Sequence, residues 1–381
     1  MNFMKKQVVI LLLFSIQLCA QNKDPNPHFP KQKISDPCNQ DFLDNYKGKW
    51  LIPNKTLFNA PSSNYSQAAM QRVNQVHELV KQVYPQPMGS DGYWTGAYRK
   101  TDFGHKIKYV TNNNRSQMEY ISRNQVEGWA YVMGLSAWIC GEDANEMWNG
   151  YPDAGGGNGI IVEANNLQIL NGEFMDDDGW TIDGQPIKRK MPVIGKWKGY
   201  DMMAINGGDL ANSNGNCYVL ISRDGMLPYI PVTRKQYLDR AIVYATKFYD
   251  KAIGVTEQIP DKAERDETKN RYLKSKNDAI KKLQDELEKT TKDALLDAPA
   301  IVGADPLGMD EGPLFLPESK GGIMLTIENA KYFRKDLPSY VPQFFVLSWV
   351  SGSCKWKWCS DFRKAIEDNF PIEKLQAMID K

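Results

Sequence analysis

The stretch from about residue 92 to residue 230 constrains the fold most strongly, because its apolar residues come in short runs. Each run is rich in β-branched and aromatic residues, and Gly, Asn or Asp separates it from the next. Such runs between turn residues are typical of antiparallel strands. Asp183-Gly184 and Asp224-Gly225 lie between runs and predict tight hairpin turns. The region is therefore predicted to form an antiparallel, meander-like sheet.

One helix is predicted before this region and two after it. Residues 66–84 carry valines at three- and four-residue spacing, which places them on one helical face. Thr233 and Gln236 have the spacing of a capping box at the start of the next helix, which extends to about Ile253. A second, highly charged helix covers residues 262–296. The apolar stripes of these two helices predict that they pack together as a helical hairpin.

These elements predict an α+β protein. An N-terminal helix packs on the antiparallel meander sheet, and a cystatin-like arrangement is one form of this packing. A helical hairpin and a small mixed C-terminal element follow, and the C-terminal strands either complete the same sheet or belong to a second core. The expected divisions are a signal peptide at 1–20, a disordered leader at 21–40, an α+β domain at 41–230, a helical hairpin at 231–300 and a C-terminal α/β element at 301–381.

Residues 1–20 have the organisation of a secretory signal peptide. A positively charged start is followed by the apolar run Val8–Ile16 and by the small residue Ala20. Cleavage between Ala20 and Gln21 predicts a secreted or periplasmic protein. Lipid attachment at Cys19 is the alternative, although this cysteine lacks the small residue that lipoprotein signals place before it. No transmembrane segment is expected after cleavage, because no later apolar run approaches about 20 residues.

The charge balance bears on the partners that the protein can have. The chain contains 47 Lys and Arg residues and 46 Asp and Glu residues. Removal of the signal peptide takes away two lysines, which leaves 45 against 46 and a net charge of −1. Nucleic-acid-binding proteins usually carry a basic patch or a high isoelectric point, so nucleic acid is not an expected partner. No cofactor is expected, and the predicted partner is a protein or a small ligand in the cell envelope.

Five cysteines follow the signal peptide, and an exported chain can oxidise such residues to disulfides. Cys354 and Cys359 are close in sequence and are predicted to close a small loop. Cys140 and Cys217 are the next pair by elimination, with Cys38 left over in the leader. The spacing of Cys354 and Cys359 is not that of a usual zinc half-site, so a disulfide is favoured over a metal.

Three glutamates are candidates for catalysis. Glu127, Glu142 and Glu146 lie around the tryptophan-rich segment 129–148. A pair of carboxylates beside aromatic rings suits a glycosidase. The alternative is a chance grouping of acids around tryptophans that belong to the core, because a chain of this length contains many such groupings.

Three aspartates are candidates for binding a metal. Asp176, Asp178 and Asp183 belong to two acidic turns, and clustered carboxylates suit Ca²⁺. The spacing does not match an EF-hand loop. The favoured alternative is two polar turns on either side of a strand, in which case no metal is bound.

Two tryptophans near the C-terminus are candidates for ligand binding. Trp356 and Trp358 alternate with Lys355 and Lys357 between the last two cysteines. On a strand this alternation would place both indole rings on one face, where they could form a recognition surface. The alternative is that both rings close over the core.

Two segments resemble parts of uncharacterised secreted proteins of Bacteroidota. They are Leu-Pro-Tyr-Ile-Pro-Val-Thr-Arg-Lys-Gln-Tyr-Leu at 227–238 and Tyr-Phe-Arg-Lys-Asp-Leu-Pro at 332–338. The Ala20-Gln21 junction is also similar to the signal-peptide ends of such proteins. The resemblance implies a Gram-negative envelope and attaches no activity to the chain.

The sequence therefore predicts a secreted or periplasmic, non-enzymatic binding protein of a Gram-negative envelope. The chain has three histidines, and it lacks the G-x-S-x-G and H-E-x-x-H motifs. The alternative is a secreted hydrolase that acts on glycans or peptides through carboxylates. An enzyme should show converging acids in a cleft, whereas a binding protein should show an exposed apolar surface or an ordered arm.

Overall fold

A computed structural model shows helices and antiparallel strands, so the predicted α+β class is confirmed. The structure describes residues 31–51, 63–99, 105–112, 115–122, 126–141, 143–150, 159–167, 181–204, 216–303, 312–350 and 356–381. The helices, numbered in chain order, are α1 Gln40–Asn45, α2 Ser63–Val83, α3 Arg234–Thr256, α4 Lys262–Lys292, α5 Lys357–Asn369 and α6 Ile372–Gln376. None of these helices has the length and the apolar character needed to span a membrane.

Seventeen strands are present among the described residues, and most of them belong to two sheets. The strands are β1 Lys31–Lys33, β2 Ser90–Arg99, β3 His105–Asn112, β4 Arg115–Ser122, β5 Gly128–Cys140, β6 Glu146–Gly150, β7 Gly159–Ala164, β8 Thr181–Ile182, β9 Gln185–Pro186, β10 Lys188–Arg189, β11 Val193–Trp197, β12 Tyr200–Met203, β13 Asn216–Ile221, β14 Tyr229–Pro231, β15 Ile301–Val302, β16 Ile323–Glu328 and β17 Phe345–Val350.

The large sheet contains nine of these strands, and all its pairs are antiparallel. Its order is β1-β6-β5-β7-β17-β13-β12-β11, and β2 also pairs with β5. Strand β17 comes from the C-terminal part of the chain, yet it lies between β7 and β13. Its first residue, Phe345, pairs with Ala164 on one side and with Ile221 on the other. The C-terminal part therefore completes the sheet that the earlier strands begin.

Helices α2, α5 and α6 cover one face of the large sheet. Val73, Val76 and Val80 of α2 are fully buried there, as their spacing predicts. Each of these buried valines contributes roughly 1.5 kcal/mol or more through the area that it removes from water. They pack with residues of α5 and of the strands in one apolar core. This face of the sheet is therefore dry.

A second core lies beneath α3 and α4. The two helices pack against a small sheet in the order β10-β16-β14, with β15 also paired to β16. The predicted capping box is confirmed, since the Thr233 hydroxyl accepts from the Gln236 amide and the Gln236 side chain accepts from the Thr233 amide. Val232 and Tyr237, which flank this box in the positions of a hydrophobic staple, are both fully buried. Hydrogen bonds and apolar contacts between residues close in sequence thus determine where α3 begins.

The N-terminal arm, residues 31–51, departs from the prediction. The disordered leader was expected to extend to residue 40, but β1 pairs with β6 and Cys38 forms a disulfide with Cys140. The expected pairing of Cys140 with Cys217 is therefore wrong. Cys217 carries a thiol that is buried in the core of the large sheet. The elimination failed because it left Cys38 in a disordered leader, whereas this segment pairs with β6 and brings Cys38 to Cys140.

The same arm covers the outer edge of β2. The Gly92 amide donates to the Lys49 carbonyl, and the Leu51 amide donates to the Gly92 carbonyl. The ring of Trp50 lies against Gly92, where a Cβ atom would overlap it. The arm thus satisfies backbone groups that an edge strand would otherwise leave open to other chains.

Replacing both Cys38 and Cys140 with serine should lower the free energy of unfolding by about 2–4 kcal/mol, because the disulfide closes a loop across 102 positions. Urea denaturation of the wild type and of the double variant measures the difference. A dithiol reductant should destabilise the wild type more than the variant, since the variant retains only the disulfide of Cys359. Equal denaturation midpoints for the two proteins would contradict the stabilising role of the arm.

Candidate functional site

The face of the large sheet that points away from α2 has half-buried side chains in its middle. Thr95, Val132, Ile161 and Tyr218 are all half-buried, and Ser348 lies between the last two. Strand pairing places the five directly opposite one another, one from each of β2, β5, β7, β17 and β13. We call these residues the open row. At about 4.8 Å between strands, the row extends across roughly 19 Å.

The two faces of the sheet differ most clearly along β7. Ile160 and Val162 point towards α2 and have no exposed surface. Ile161 lies between them, points to the opposite face and is half-buried. Since successive side chains of a strand alternate between faces, this contrast separates a dry face from one that water reaches.

A buried carboxylate lies beside the open row. Glu163 follows Ile161 by two positions on the same face, and only 8% of its surface is exposed. Its Oε1 accepts a hydrogen bond from Asn166 Nδ2 at 3.2 Å. Burial raises the pKa of the Tyr218 hydroxyl, and the charge of Glu163 adds to the rise, while a hydrogen bond with Asn216 opposes it. Tyr218 therefore remains a neutral hydroxyl at physiological pH.

Two paired glycines lie next to the open row. Gly134 of β5 is opposite Gly159 of β7, and the ring of Tyr93 crosses Gly134. A Cβ atom on Gly134 would overlap the Tyr93 hydroxyl, and one on Gly159 would overlap the Met133 carbonyl. No side chain therefore projects from the sheet at these two positions. Tyr93 on β2 and Tyr218 on β13 place one aromatic ring near each end of the row.

The open row suits binding better than bond breaking. Its aliphatic and aromatic side chains can cover a flat apolar surface, and the Thr95 and Ser348 hydroxyls can donate and accept hydrogen bonds. Across the strands, Ser348 is opposite Ile161 and Tyr218, so neither register partner supplies a basic group to activate its hydroxyl. The described residues that pair with Ser348 thus do not form the nucleophile-and-base arrangement that acyl transfer uses.

His77 lies on the other face of the sheet, inside an aromatic cluster. Its ring stacks on Trp94 with centroids 4.1 Å apart and contacts the edge of Trp50. Its Nδ1 is 3.2 Å from the Tyr131 hydroxyl oxygen. Burial, with a smaller effect from the charge of Lys81, lowers the pKa of His77 to about 4. His77 is therefore a neutral residue of the core.

The structure does not bring the candidate glutamates together. Glu127 precedes β5, Glu146 lies beside the far end of this strand, and Glu142 lies outside the described residues. At about 3.3 Å per residue, β5 separates the first two by roughly 40 Å, whereas glycosidase carboxylates lie about 5–10 Å apart. Glu127 instead accepts a hydrogen bond from the Ser339 hydroxyl at 2.8 Å.

The two C-terminal tryptophans are separated by the start of α5. Trp356 is the N-cap residue of this helix and is 54% exposed, whereas Trp358 is buried in the large core. The expectation that both rings share one face of a strand is therefore wrong, because this segment is helical. Cys359 is buried and disulfide-bonded, and its predicted partner, Cys354, lies outside the described residues.

Of the three candidate metal ligands, the structure describes only Asp183. Asp183 and Gly184 both have positive φ angles, 52° and 75°, and join β8 to β9 in the predicted hairpin turn. Asp176 and Asp178 lie outside the described residues. Within the part of the chain that is described, no group of three His, Cys, Asp or Glu residues is arranged to hold a metal ion.

The open row is not evident from the sequence pattern. Strand β7 reads Gly-Ile-Ile-Val-Glu-Ala, and apolar residues on both faces hide which face is open. The sequence feature that could have indicated this face is the presence of polar residues within the strands, namely Thr95, Glu163 and Ser348. Comparison with known proteins adds no second signal, because no family model, no curated protein and no solved structure matches the chain.

Neutral His77 should make stability depend on pH in a definite window. An unfolded histidine takes up a proton near pH 6.5, whereas folded His77 does so only near pH 4. Its contribution is therefore complete above pH 6.5 and is lost as the pH falls to about 4, by up to about 3 kcal/mol. The variant His77→Gln cannot titrate, so its stability deficit relative to the wild type should shrink across this window. Urea denaturation between the two pH values measures it, and parallel profiles would contradict the assignment.

Proposed function

We propose that this protein is an exported, non-catalytic binding protein and that its ligand binds at the open row. One observation carries the proposal. Helices seal one face of the large sheet, while side chains from four of its strands, β2, β5, β7 and β13, remain partly accessible to water on the other, with the buried Ser348 of β17 between them. A folded chain gains stability by covering such a surface, so an accessible apolar row in the middle of a sheet favours a binding role.

The side chains of the row indicate the kind of ligand. Tyr93 and Tyr218 offer aromatic rings near its two ends, and Val132 and Ile161 offer an aliphatic floor between them. The hydroxyl groups of Thr95 and Ser348 lie in the same row as these aliphatic side chains. A flat or extended ligand with apolar faces and polar edges, as in an oligosaccharide, fits this alternation.

The disulfide between Cys38 and Cys140 supports export. Disulfides persist mainly in oxidising compartments, and this one joins the arm to the edge of the sheet where Cys140 is exposed. The signal-peptide pattern of residues 1–20 points in the same direction. We therefore place the mature protein outside the cytoplasm, in the periplasm or beyond it.

The hydrolase hypothesis has less support. It needs two carboxylates near one bond, and Glu127 and Glu146 lie at opposite ends of β5. Glu163 is the carboxylate nearest the open row in sequence register, and Asn166 already donates a hydrogen bond to it. A single buried carboxylate of this kind serves better to orient polar groups than to cleave a glycosidic bond.

Variants of the open row test the proposal. The mature protein is screened against an oligosaccharide library by ligand-observed NMR, and each hit is titrated with the wild type, Tyr218→Ala and Ile161→Ser. We expect both variants to weaken binding at least about tenfold, because each removes apolar contact area of the row. The matched control is Ile139→Ser, which makes a similar change at a 50% exposed position at the end of β5 and should bind like the wild type.

The same titrations can contradict the proposal. A hit that binds all four proteins equally would move the binding site away from the open row. A library without hits would remove oligosaccharides as the ligand class. Cleavage of a hit during prolonged incubation, followed by mass spectrometry, would favour the hydrolase hypothesis instead of a binding protein.

A further inference from the structure

One side of α3 carries exposed apolar and basic side chains together. Val243 and Phe248 are each 41% exposed, and Val255 is 55% exposed. Exposed Lys247 and Lys251 and half-buried Arg240 lie among them on the same side of the helix. We call this set the α3 stripe, and its members are Arg240, Val243, Lys247, Phe248, Lys251 and Val255.

Helical geometry places the six residues on one surface. At 3.6 residues per turn they fall within roughly 140° of the helix circumference. From Arg240 to Val255 the stripe is about 23 Å long at 1.5 Å per residue. Phe248 is held in place by its neighbours, because its ring stacks on Tyr244 and contacts the edge of Tyr249. The stripe is therefore an ordered surface.

The acidic residues of α3 lie outside the stripe and are already paired. Asp239 pairs with Lys235, and Asp250 pairs with Lys276 of α4. Among the described residues, no carboxylate forms an ion pair with Arg240, Lys247 or Lys251. The positive charge of the stripe is thus not neutralised within the fold.

The α3–α4 region as a whole is more basic than the chain. Residues 234–292 contain 15 Lys and Arg residues and 11 Asp and Glu residues, a surplus of four positive charges, whereas the whole chain has a net charge of +1. The segment that contains the stripe therefore carries a surplus of positive charge, which would attract a negatively charged partner.

We propose that the α3 stripe binds the surface of an anionic phospholipid bilayer. Helices that lie in a membrane interface combine apolar side chains with Lys and Arg, and each cation near an anionic surface adds to binding. Lys247 and Lys251 can extend their ammonium groups to the phosphates while their methylene chains lie beside Phe248 and Val255. Three apolar side chains give shallow, reversible attachment.

The shape of the stripe favours a bilayer over an acidic protein. The six residues lie along one convex helix, and a protein partner would need a matching groove to bury them. A fluid lipid surface adapts to a convex helix and needs no such groove. The stripe lies on α3, which packs on the small sheet, whereas the open row lies on the large sheet, so the proposed membrane attachment uses none of the residues proposed above for ligand binding.

Vesicle cosedimentation tests this inference on the full mature protein. The vesicles are phosphatidylcholine, either pure or with phosphatidylglycerol as about a third of the lipid. We expect the wild type to bind only the anionic vesicles, and less so as salt is raised. Lys247→Glu/Lys251→Glu should reduce the partition coefficient at least about tenfold, and Phe248→Ser/Val255→Ser should reduce it at least about threefold.

A matched control separates the stripe from net charge. Lys281→Glu/Lys292→Glu makes the same change in charge on α4, at side chains that are 74% and 70% exposed. This control should bind nearly as well as the wild type, and circular dichroism should show that all the variants are folded. Equal loss in both charge-reversal variants would overturn the inference, because net charge alone would explain binding. Absence of wild-type binding would also overturn it and would leave an acidic protein as the next partner to test.

Discussion

The pairing of β17 with both β7 and β13 holds the remaining parts of the structure in place. All six residues of this strand pair with β13, and the first five, Phe345 to Trp349, also pair with β7. After β13 the chain leaves the large sheet, forms β14, α3, α4, β15 and β16, and returns through β17 to the middle of the large sheet. The two helices and three of the four strands of the small sheet are therefore inserted between two neighbouring strands, and β10 joins the small sheet from the segment before β11. Loss of β17 would separate the large sheet into two halves.

The alternation of β17 also determines what each face of the sheet does. Leu347 and Trp349 point into the dry core under the helices, and Val346 packs in a separate apolar cluster with Tyr332 and Phe344. Ser348 points to the same face as Val346 but lies in the open row. One strand thus contributes to two cores and to the proposed binding surface. A surface built on a central strand is rigid, which lowers the entropy lost when a ligand binds.

Two local features of the fold could be predicted from the sequence, and distant pairings could not. The hairpin predicted at Asp224-Gly225 is wrong, because β13 and β14 on either side of it pair in different sheets. The capping box of Thr233 and Gln236 and the turn at Asp183-Gly184 depend on hydrogen bonds between residues a few positions apart, so their residue types are sufficient evidence. The Cys38–Cys140 bond joins residues 102 positions apart, and nothing near either cysteine identifies its partner. The open row escaped prediction because an apolar strand such as β7 looks buried on both faces.

The proposed binding role requires that water reaches the row but not the residues immediately beside it on the opposite face. Thiol labelling of Ile161→Cys and Ile160→Cys in the folded protein tests this claim most directly, because the two positions are adjacent in β7. The native thiol of Cys217 is buried and serves as an internal reference. We predict that a maleimide labels Ile161→Cys rapidly and Ile160→Cys at least about a hundredfold more slowly, since the latter reacts only after unfolding. Equal protection of both positions would contradict an open binding face.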